Sequence, residues 1–338
     1  MIIKKNISLK KYNTFGIDAK AKFFCDINSV SSLAEALKLE GYPEKFIISG
    51  GSNMLILNDI DALVLHINLK GIDVLKEDQD YVFLKVMAGE VWHDMVLWTL
   101  EHNYGGLENM SLIPGYTGTA PIQNIGAYGV ELKDNFVSCE AMCISDQNLR
   151  VFSNEECNFG YRDSYFKNEG KEKYIITSIT LKLTKRNHKL NTTYGAIEEE
   201  LEKNGIYQPT IMDVSNAVVA IRKSKLPDPK ELGNSGSFFK NPILTKKEFN
   251  DFIEAHPEAK FYKVSENEYK VPAGWLIEQC GYKGKRFGDA GVHKNQALVL
   301  VNFGNATGQE IYDLAYKIMD SVFENYGIHI YPEVNIIK

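Results

Sequence analysis

Between Ile113 and Gly129 the chain reads IPGYTGTAPIQNIGAYG, and neither the helical nor the strand period runs through it. Compact domains rarely keep an aperiodic stretch of this length without a use for it. Gly115, Gly118, Gly126 and Gly129 permit positive φ and a close approach of backbone to a ligand. A second glycine-rich stretch, Gly50-Gly51-Ser52-Asn53, follows a short strand expected at Phe46–Ile48. Its backbone N–H groups form a candidate anion-binding concavity. On local pattern alone, either stretch reads equally well as a tight turn. Neither is G-x-G-x-x-G, and no G-x-x-x-x-G-K-[ST] occurs, so the Rossmann fingerprint and the P-loop are both absent.

Around these loops strand and helix signals alternate, which suggests α/β or α+β layers. Lys22–Ile27 reads as a strand. Ser29 offers an N-cap to a helix through Leu39, stopped by Gly41, and with Phe46–Ile48 this makes a β-α-β first lobe. From about Gly71 the pattern changes: a strand at Tyr81–Met87, a helix from Glu90 to His102, then strands at Phe136–Ile144 and Tyr174–Leu183. Ile211–Lys225 reads as a helix stopped by Leu226-Pro227-Asp228-Pro229, a candidate hinge. Ile311, Leu314, Ala315, Ile318, Val322, Phe323 and Tyr326 make one apolar helical face with Gly327 as its stop, and a last strand is expected over Ile328–Ile337. At 338 residues the chain exceeds one ordinary core, and two or three domains are expected, with boundaries near residues 70 and 220.

A net charge of −6 argues against a general nucleic-acid binder. No apolar run approaches the roughly 20 residues of a membrane helix. Met1 to Asn6 lack the apolar core of a secretory signal. The five cysteines include no C-x-x-C pair, and Cys139 and Cys143 sit in an expected strand. Reduced thiols in the cytoplasm are the expectation. The seven histidines show no ligand spacing, so no metal is expected, and His93 should pack within its helix.

Specificity comes from several motifs in one order. Asn13-Thr14-Phe15-Gly16, Gly50 to Leu55 and Ile113 to Gly129 are followed by Tyr161-Arg162-Asp163-Ser164, Lys225-Leu226-Pro227 and Gly236 to Pro242. Pro272 to Ile277, His293 to Leu298 and Tyr331-Pro332-Glu333-Val334 complete the series. In this order the chain resembles the UDP-N-acetylenolpyruvoylglucosamine reductases, in their longer, tyrosine-loop subtype, over almost its whole length. The resemblance implies an α+β fold: a two-lobed FAD-binding domain of the vanillyl-alcohol oxidase type plus a C-terminal α+β substrate-binding domain. The lobes would span residues 1–70 and 71–218, the second joined by the terminal strand 328–338, and the substrate domain residues 219–327.

The same resemblance implies non-covalent FAD, NADPH as hydride donor, and reduction of an enolpyruvyl sugar nucleotide in peptidoglycan precursor synthesis. No nucleic acid, membrane insertion or obligate protein partner is implied. Gly50, Gly51, Ser52, Asn53, Gly115, Gly118, Gln123, Asn124, Gly126, Ala127, Tyr128 and Gly129 would hold the flavin. Ser237 would be the proton donor. Arg162 would pair with the substrate carboxylate, and Glu333 would either stabilise the enolate or orient the donor. Tyr194, Lys225, Asn241 and Gln296 would bind the sugar nucleotide, with Tyr194 in a loop that closes over it. Ser237 lies in no G-x-S-x-G elbow, so a hydrolase reading is poor. A carbohydrate oxidase on the same scaffold would lack Gly236-Ser237-Phe238 and Pro332-Glu333. A flavin-free nucleotide-sugar binder would be colourless.

Overall fold

The computed structural model describes residues 1–194 and 196–338. Gly195, inside the segment expected to close over the substrate, lies outside the described residues. Packing divides the chain into two compact units: Met1–Ile7, Ala21–Gly50 and Ile60–Lys223, and Ser8–Lys20, Gly51–Asp59 and Ser224–Lys338.

The first unit holds two sheets. One has the strand order Ile3–Ser8, Lys20–Ile27, Ile60–Ile67, Lys45–Ile48. Ile60–Ile67 pairs in parallel with both of its neighbours. A helix at Val30–Leu37 crosses over between them, begun by a capping box in which Ser29 accepts from Ser32 and receives its side chain in return. The other sheet is antiparallel, in the order Leu149–Ser153, Phe136–Cys143, Tyr174–Thr184, Tyr81–Met87, Ile72–Glu77. Leu33 and Leu65 pack in one buried cluster with Met142 and Ile175, so the two sheets share a core. Tyr81–Met87 alternates strictly, with Val82, Leu84 and Val86 fully buried.

In the second unit, short antiparallel strands Gly233–Asn234, Leu300–Asn302, Ala290–Val292 and Arg286–Phe287 form a small sheet. The helix Gly308–Tyr326 buries Ile311, Leu314, Ala315, Ile318 and Val322 and ends at Gly327, at φ 64°. Phe323, expected on that face, is instead 46% exposed. Its ring stacks on His329 at 4.2 Å, because the chain after Gly327 turns back over it. The last strand is also shorter than Ile328–Ile337: only Asn335–Ile337 qualifies, in parallel with Met54–Ile56. Pro332 has no N–H to extend a ladder, and its pairing shrinks to a single bridge with Phe239.

Candidate active site

The aperiodic stretch folds as a 3₁₀ helix over Thr117–Gln123 followed by a tight hairpin, Gly126–Ala127 with Val130–Glu131. It is pinned at its start by Trp92 N–H to Gly115 O (2.9 Å) and Thr117 N–H to Glu90 O (2.9 Å). Gly50 lies against it so closely that a Cβ there would meet Gly115 Cα at 3.1 Å and Tyr116 Cδ1 at 2.9 Å. The first unit thus brings Gly50, where the first glycine stretch begins, against the second stretch. Not every glycine in them faces outward: the Gly118 N–H is already bonded to Ala88 O at 2.9 Å.

Asn124 is fully buried and spends its side chain inside the protein, donating to Gly160 O at 3.0 Å and accepting from Lys133 N–H at 3.1 Å. Gln123, Ala127 and Tyr128 are half-buried beside it. Arg162 takes φ 53°, an uncommon backbone state for a long side chain. Its Nη2 donates to Gly126 O at 2.8 Å, which sets the guanidinium against the hairpin. Asn109 ties the hairpin down through Tyr128 O at 3.0 Å and reaches Asn191 O at 2.8 Å. A Cβ on Gly129 would lie 3.3 Å from that of Tyr194, so the exposed Tyr194 borders the same hairpin.

Proximity in the second unit is built by the Asn13-Thr14-Phe15-Gly16 motif. Thr14 N–H donates to Gly51 O at 3.1 Å, and the Thr14 and Ser235 hydroxyls meet at 3.3 Å. Gly51 sits at φ 57° with Tyr12 O only 2.0 Å from where a Cβ would be, so no other residue fits there. Ser237 follows Gly236 and is exposed, anchored by Phe238 and Phe239, which are fully buried. Phe238 O accepts the Glu333 N–H at 2.7 Å, and Lys240 N–H donates to Tyr331 O at 2.9 Å. Asn53 reaches the same place, its Nδ2 donating to Glu333 O at 3.4 Å. Ser237, Glu333 and the Gly51-Ser52-Asn53 turn therefore adjoin one another.

The expected substrate residues of this unit do not share one environment. Lys225 is exposed at a helix end, beside Ser224, whose carbonyl is held by Asn295 Nδ2 at 3.2 Å. Asn241 Oδ1 accepts Ala273 N–H at 2.9 Å and so starts the helix Ala273–Gln279. Gln296 Oε1 accepts from Leu298 N–H at 3.3 Å. His93, as expected, is half-buried in its helix, and its Nδ1 accepts the Leu112 N–H at 3.0 Å. Burial holds its pKa below the usual histidine value.

Two residues near these loops carried no motif signal. Ser49 precedes Gly50, and its buried Oγ has no hydrogen-bond partner; Arg222 has a buried Nε in the same condition. Buried polar atoms of this kind are rare, and in a cofactor cleft they are donors left for the cofactor. Ser49, with the close approach of Gly50 and Gly115, makes the first unit fit an FAD diphosphate. Among the described residues, no His, Cys, Asp and Glu cluster is arranged to hold a metal. No described helix is long and apolar enough to cross a membrane.

Residues 26–151 match the family described as FAD binding domain, and residues 228–337 match UDP-N-acetylenolpyruvoylglucosamine reductase, C-terminal domain. Flavobacterium johnsoniae has a UDP-N-acetylenolpyruvoylglucosamine reductase 65% identical over 337 residues, covering all of both chains. The reductase of the same name from Pseudomonas aeruginosa is 45% identical, covering 99% of this chain and 98% of its own. A crystal structure of UDP-N-acetylenolpyruvylglucosamine reductase from Thermus caldophilus, 22% identical, superposes with a TM-score of 0.70 over the full length of both chains, which supports the fold. An FAD-binding domain joined to a separate α+β C-terminal domain defines a flavin-dependent oxidoreductase. Within that class, the chain belongs to the UDP-N-acetylenolpyruvoylglucosamine reductase family.

Proposed function

We propose that this chain reduces the enolpyruvyl group of UDP-N-acetylglucosamine enolpyruvate to UDP-N-acetylmuramate, with NADPH as donor, in the cytoplasmic synthesis of a peptidoglycan precursor. The observation that carries the reading is the pairing of the Ser237 segment with the Glu333 segment through Phe238 O at 2.7 Å. It brings the backbones of the two segments together next to a glycine turn. Bound FAD supplies the hydride relay between NADPH and the substrate. Ser49, Gly50 to Asn53 and the Gly115–Gly129 segment hold it, mainly through backbone. Residues 1–70 and 71–218 are its two lobes, and residues 219–327 are the substrate domain.

The remaining work falls to side chains. Hydride arrives at the terminal carbon of the vinyl ether, and negative charge develops on the carbon beside the carboxylate. Arg162 pairs with that carboxylate and follows the charge as it spreads, a preorganised stabiliser. Ser237 delivers a proton to the carbon carrying the charge; a neutral hydroxyl is a weak acid, so it acts only against a strongly basic carbanion. Glu333 stabilises the enolate or orients the serine. Tyr194, Lys225, Asn241 and Gln296 bind the nucleotide sugar, Asn241 and Gln296 also bracing the walls that face it.

The test is a pair of half-reactions. Purified protein should be yellow, bleach with NADPH, and recover colour on adding the enolpyruvyl substrate. Ser237→Ala should leave bleaching intact and slow recovery by about 10²- to 10⁴-fold. Equal loss in both halves would make Ser237 structural, and a colourless protein that takes up no FAD would sink the whole reading.

A further inference from the structure

Within the first unit, Arg162 stands at the tip of a tight turn. Gly160 and Asp163 pair across it, Gly160 N–H to Asp163 O at 3.0 Å and Asp163 N–H to Gly160 O at 3.3 Å, with Tyr161 and Arg162 between them. Arg162 is the second tip residue, and its φ of 53° belongs where a turn ordinarily carries glycine or asparagine. Such a backbone state persists only where the surroundings over-determine it. One set of restraints ties the turn to the flavin-holding segment. Asn124 Nδ2 donates to Gly160 O at 3.0 Å, Ser164 Oγ to Ile122 O at 2.7 Å, and Arg162 Nη2 to Gly126 O at 2.8 Å.

A further bond acts on the strained peptide itself: Lys167 Nζ donates to Arg162 O at 2.6 Å. This lysine is half-buried and ends a 3₁₀ turn, Tyr165–Lys167, which Ser164 caps through the Phe166 N–H and the buried Phe166 anchors. A bond from an ammonium to a carbonyl is charge-assisted and stronger than one between neutral groups. It also sets one cation beside the main chain of another, which a lysine extended into water would avoid. The backbone angles of Arg162 set the direction in which its side chain leaves the turn, so a group that fixes this peptide aims the guanidinium.

We propose that Lys167 is a positioning residue for Arg162: its ammonium locks the left-handed peptide of the turn and so aims the guanidinium at the substrate carboxylate. This rests on the reductase reading above, in which Arg162 holds that carboxylate. Lys167 acts through Arg162 and touches no substrate. The flavin-holding segment fixes where the turn sits, and the lysine fixes which way its tip faces.

The experiment uses the holoenzyme and the variants Lys167→Met, Lys167→Gln and Lys167→Arg, alone and combined with Arg162→Ala. Lys167→Met should leave bleaching by NADPH intact, weaken substrate binding and slow reoxidation by roughly 10- to 100-fold, a loss that a displacement of about 1 Å can cause. Lys167→Gln, neutral and with a shorter stem, carries the same expectation should Met fail to fold. Lys167→Arg keeps a charged donor on a long stem and should recover part of the loss. Added to Arg162→Ala, Lys167→Met should cost less than about twofold more, because no guanidinium remains to be aimed. An equal loss in both backgrounds would show that Lys167 acts on the substrate by itself and would overturn the proposal, as would parent-like kinetics of Lys167→Met. A melting cycle reads the peptide without substrate. Glycine accepts positive φ, so Lys167→Met should lower the thermal midpoint of the parent by about 2–4 °C and that of Arg162→Gly by less than about half as much. Equal shifts would show that the lysine does not lock the turn. A parent protein that holds FAD and bleaches but is not reoxidised by the enolpyruvyl substrate would instead sink the reductase reading, and the melting cycle would then decide the lock by itself.

Discussion

Asn13→Asp changes almost no volume and removes two hydrogen-bond donations from the centre of the second unit. Asn13 is buried. Its Nδ2 donates to Leu9 O at 2.8 Å and Ile17 O at 2.9 Å, and its Oδ1 accepts the Ile17 N–H at 3.0 Å. A carboxylate keeps the acceptor but turns its second oxygen toward two carbonyls. Leu9 O keeps the Tyr12 N–H at 2.8 Å, whereas Ile17 O is left without a donor, at a cost of about 1–3 kcal/mol. At about 2–4 °C per kcal/mol, the thermal midpoint should fall by roughly 2–12 °C. The dependence on pH is the sharper signature. With two carbonyls and no cation before it, the introduced carboxyl is disfavoured as an anion, and its folded pKa lies above the unfolded value of about 3.9. The penalty is therefore full above the folded pKa and is relieved as pH falls through it, because the protonated acid donates to one carbonyl again. Melts of parent and variant by circular dichroism, from about pH 8 to about pH 5, give the deficit as a difference, which cancels the parent's own titrations. A deficit below about 1 kcal/mol, or one that does not shrink toward acid, would mean that Asn13 does not make these bonds.

Gly51→Ala forces a Cβ to within 2.0 Å of Tyr12 O, so the turn must move; purified protein should carry less flavin per chain, and full occupancy would refute the role given to that turn. Arg162→Ala should weaken substrate binding and slow flavin reoxidation, whereas Glu333→Gln should spare binding and lower kcat; titration and single-turnover rates separate them, and parent-like behaviour of Arg162→Ala would place the carboxylate clamp elsewhere. Burial raises the Glu108 pKa, so the parent loses stability as pH rises from the unfolded toward the folded value. Glu108→Gln should thus be at least as stable as the parent near pH 7 and lose that advantage near about pH 4, while a large loss near neutrality would show that the ionised form is needed.

Regular periods were legible. Tyr81–Met87 and Ile211–Lys225 fall where alternation and a proline stop place them, and Ser29 caps its helix. The strand Ile60–Ile67 was not foreseen, although it is the middle of the parallel sheet. A strand covered on both faces shows an apolar run in place of an alternation, and Ala62 to Leu65 is such a run. The terminal strand failed for the opposite reason: an apolar, β-prone segment promised a ladder that Pro332 cannot extend. At the site, Ser49 and Arg222 escaped because their residue types carry no local signal. A serine ending a strand reads as a turn residue, and an arginine near a helix end reads as a solvated cation; only burial distinguishes them.

The motifs that place this chain in its family do two kinds of work, and the hydrogen bonds separate them. Asn13 and Thr14 have no proposed ligand role, yet Thr14 N–H holds Gly51 O of the flavin loop, and Phe15 O is held by Asn302 Nδ2 at 2.9 Å while its ring packs edge-on to Phe238 at 6.2 Å. Asn124, Asn241 and Gln296 likewise have their acceptors engaged by backbone N–H groups. A side-chain amide has two donors and two acceptor lone pairs, so such a residue can brace a wall with its oxygen and still offer donors to an anionic ligand. Substitution by Asp at Asn241 or Gln296 by Glu keeps the brace and removes the donors, whereas Ala removes both. If the sugar diphosphate is read by these amides, the acidic variants should fold like the parent and bind substrate worse than the alanine variants do, because they add negative charge facing phosphate. If they only brace the wall, the order reverses and alanine is the more damaging change. Substrate titration against melting temperature across the four variants decides which kind of work each motif does.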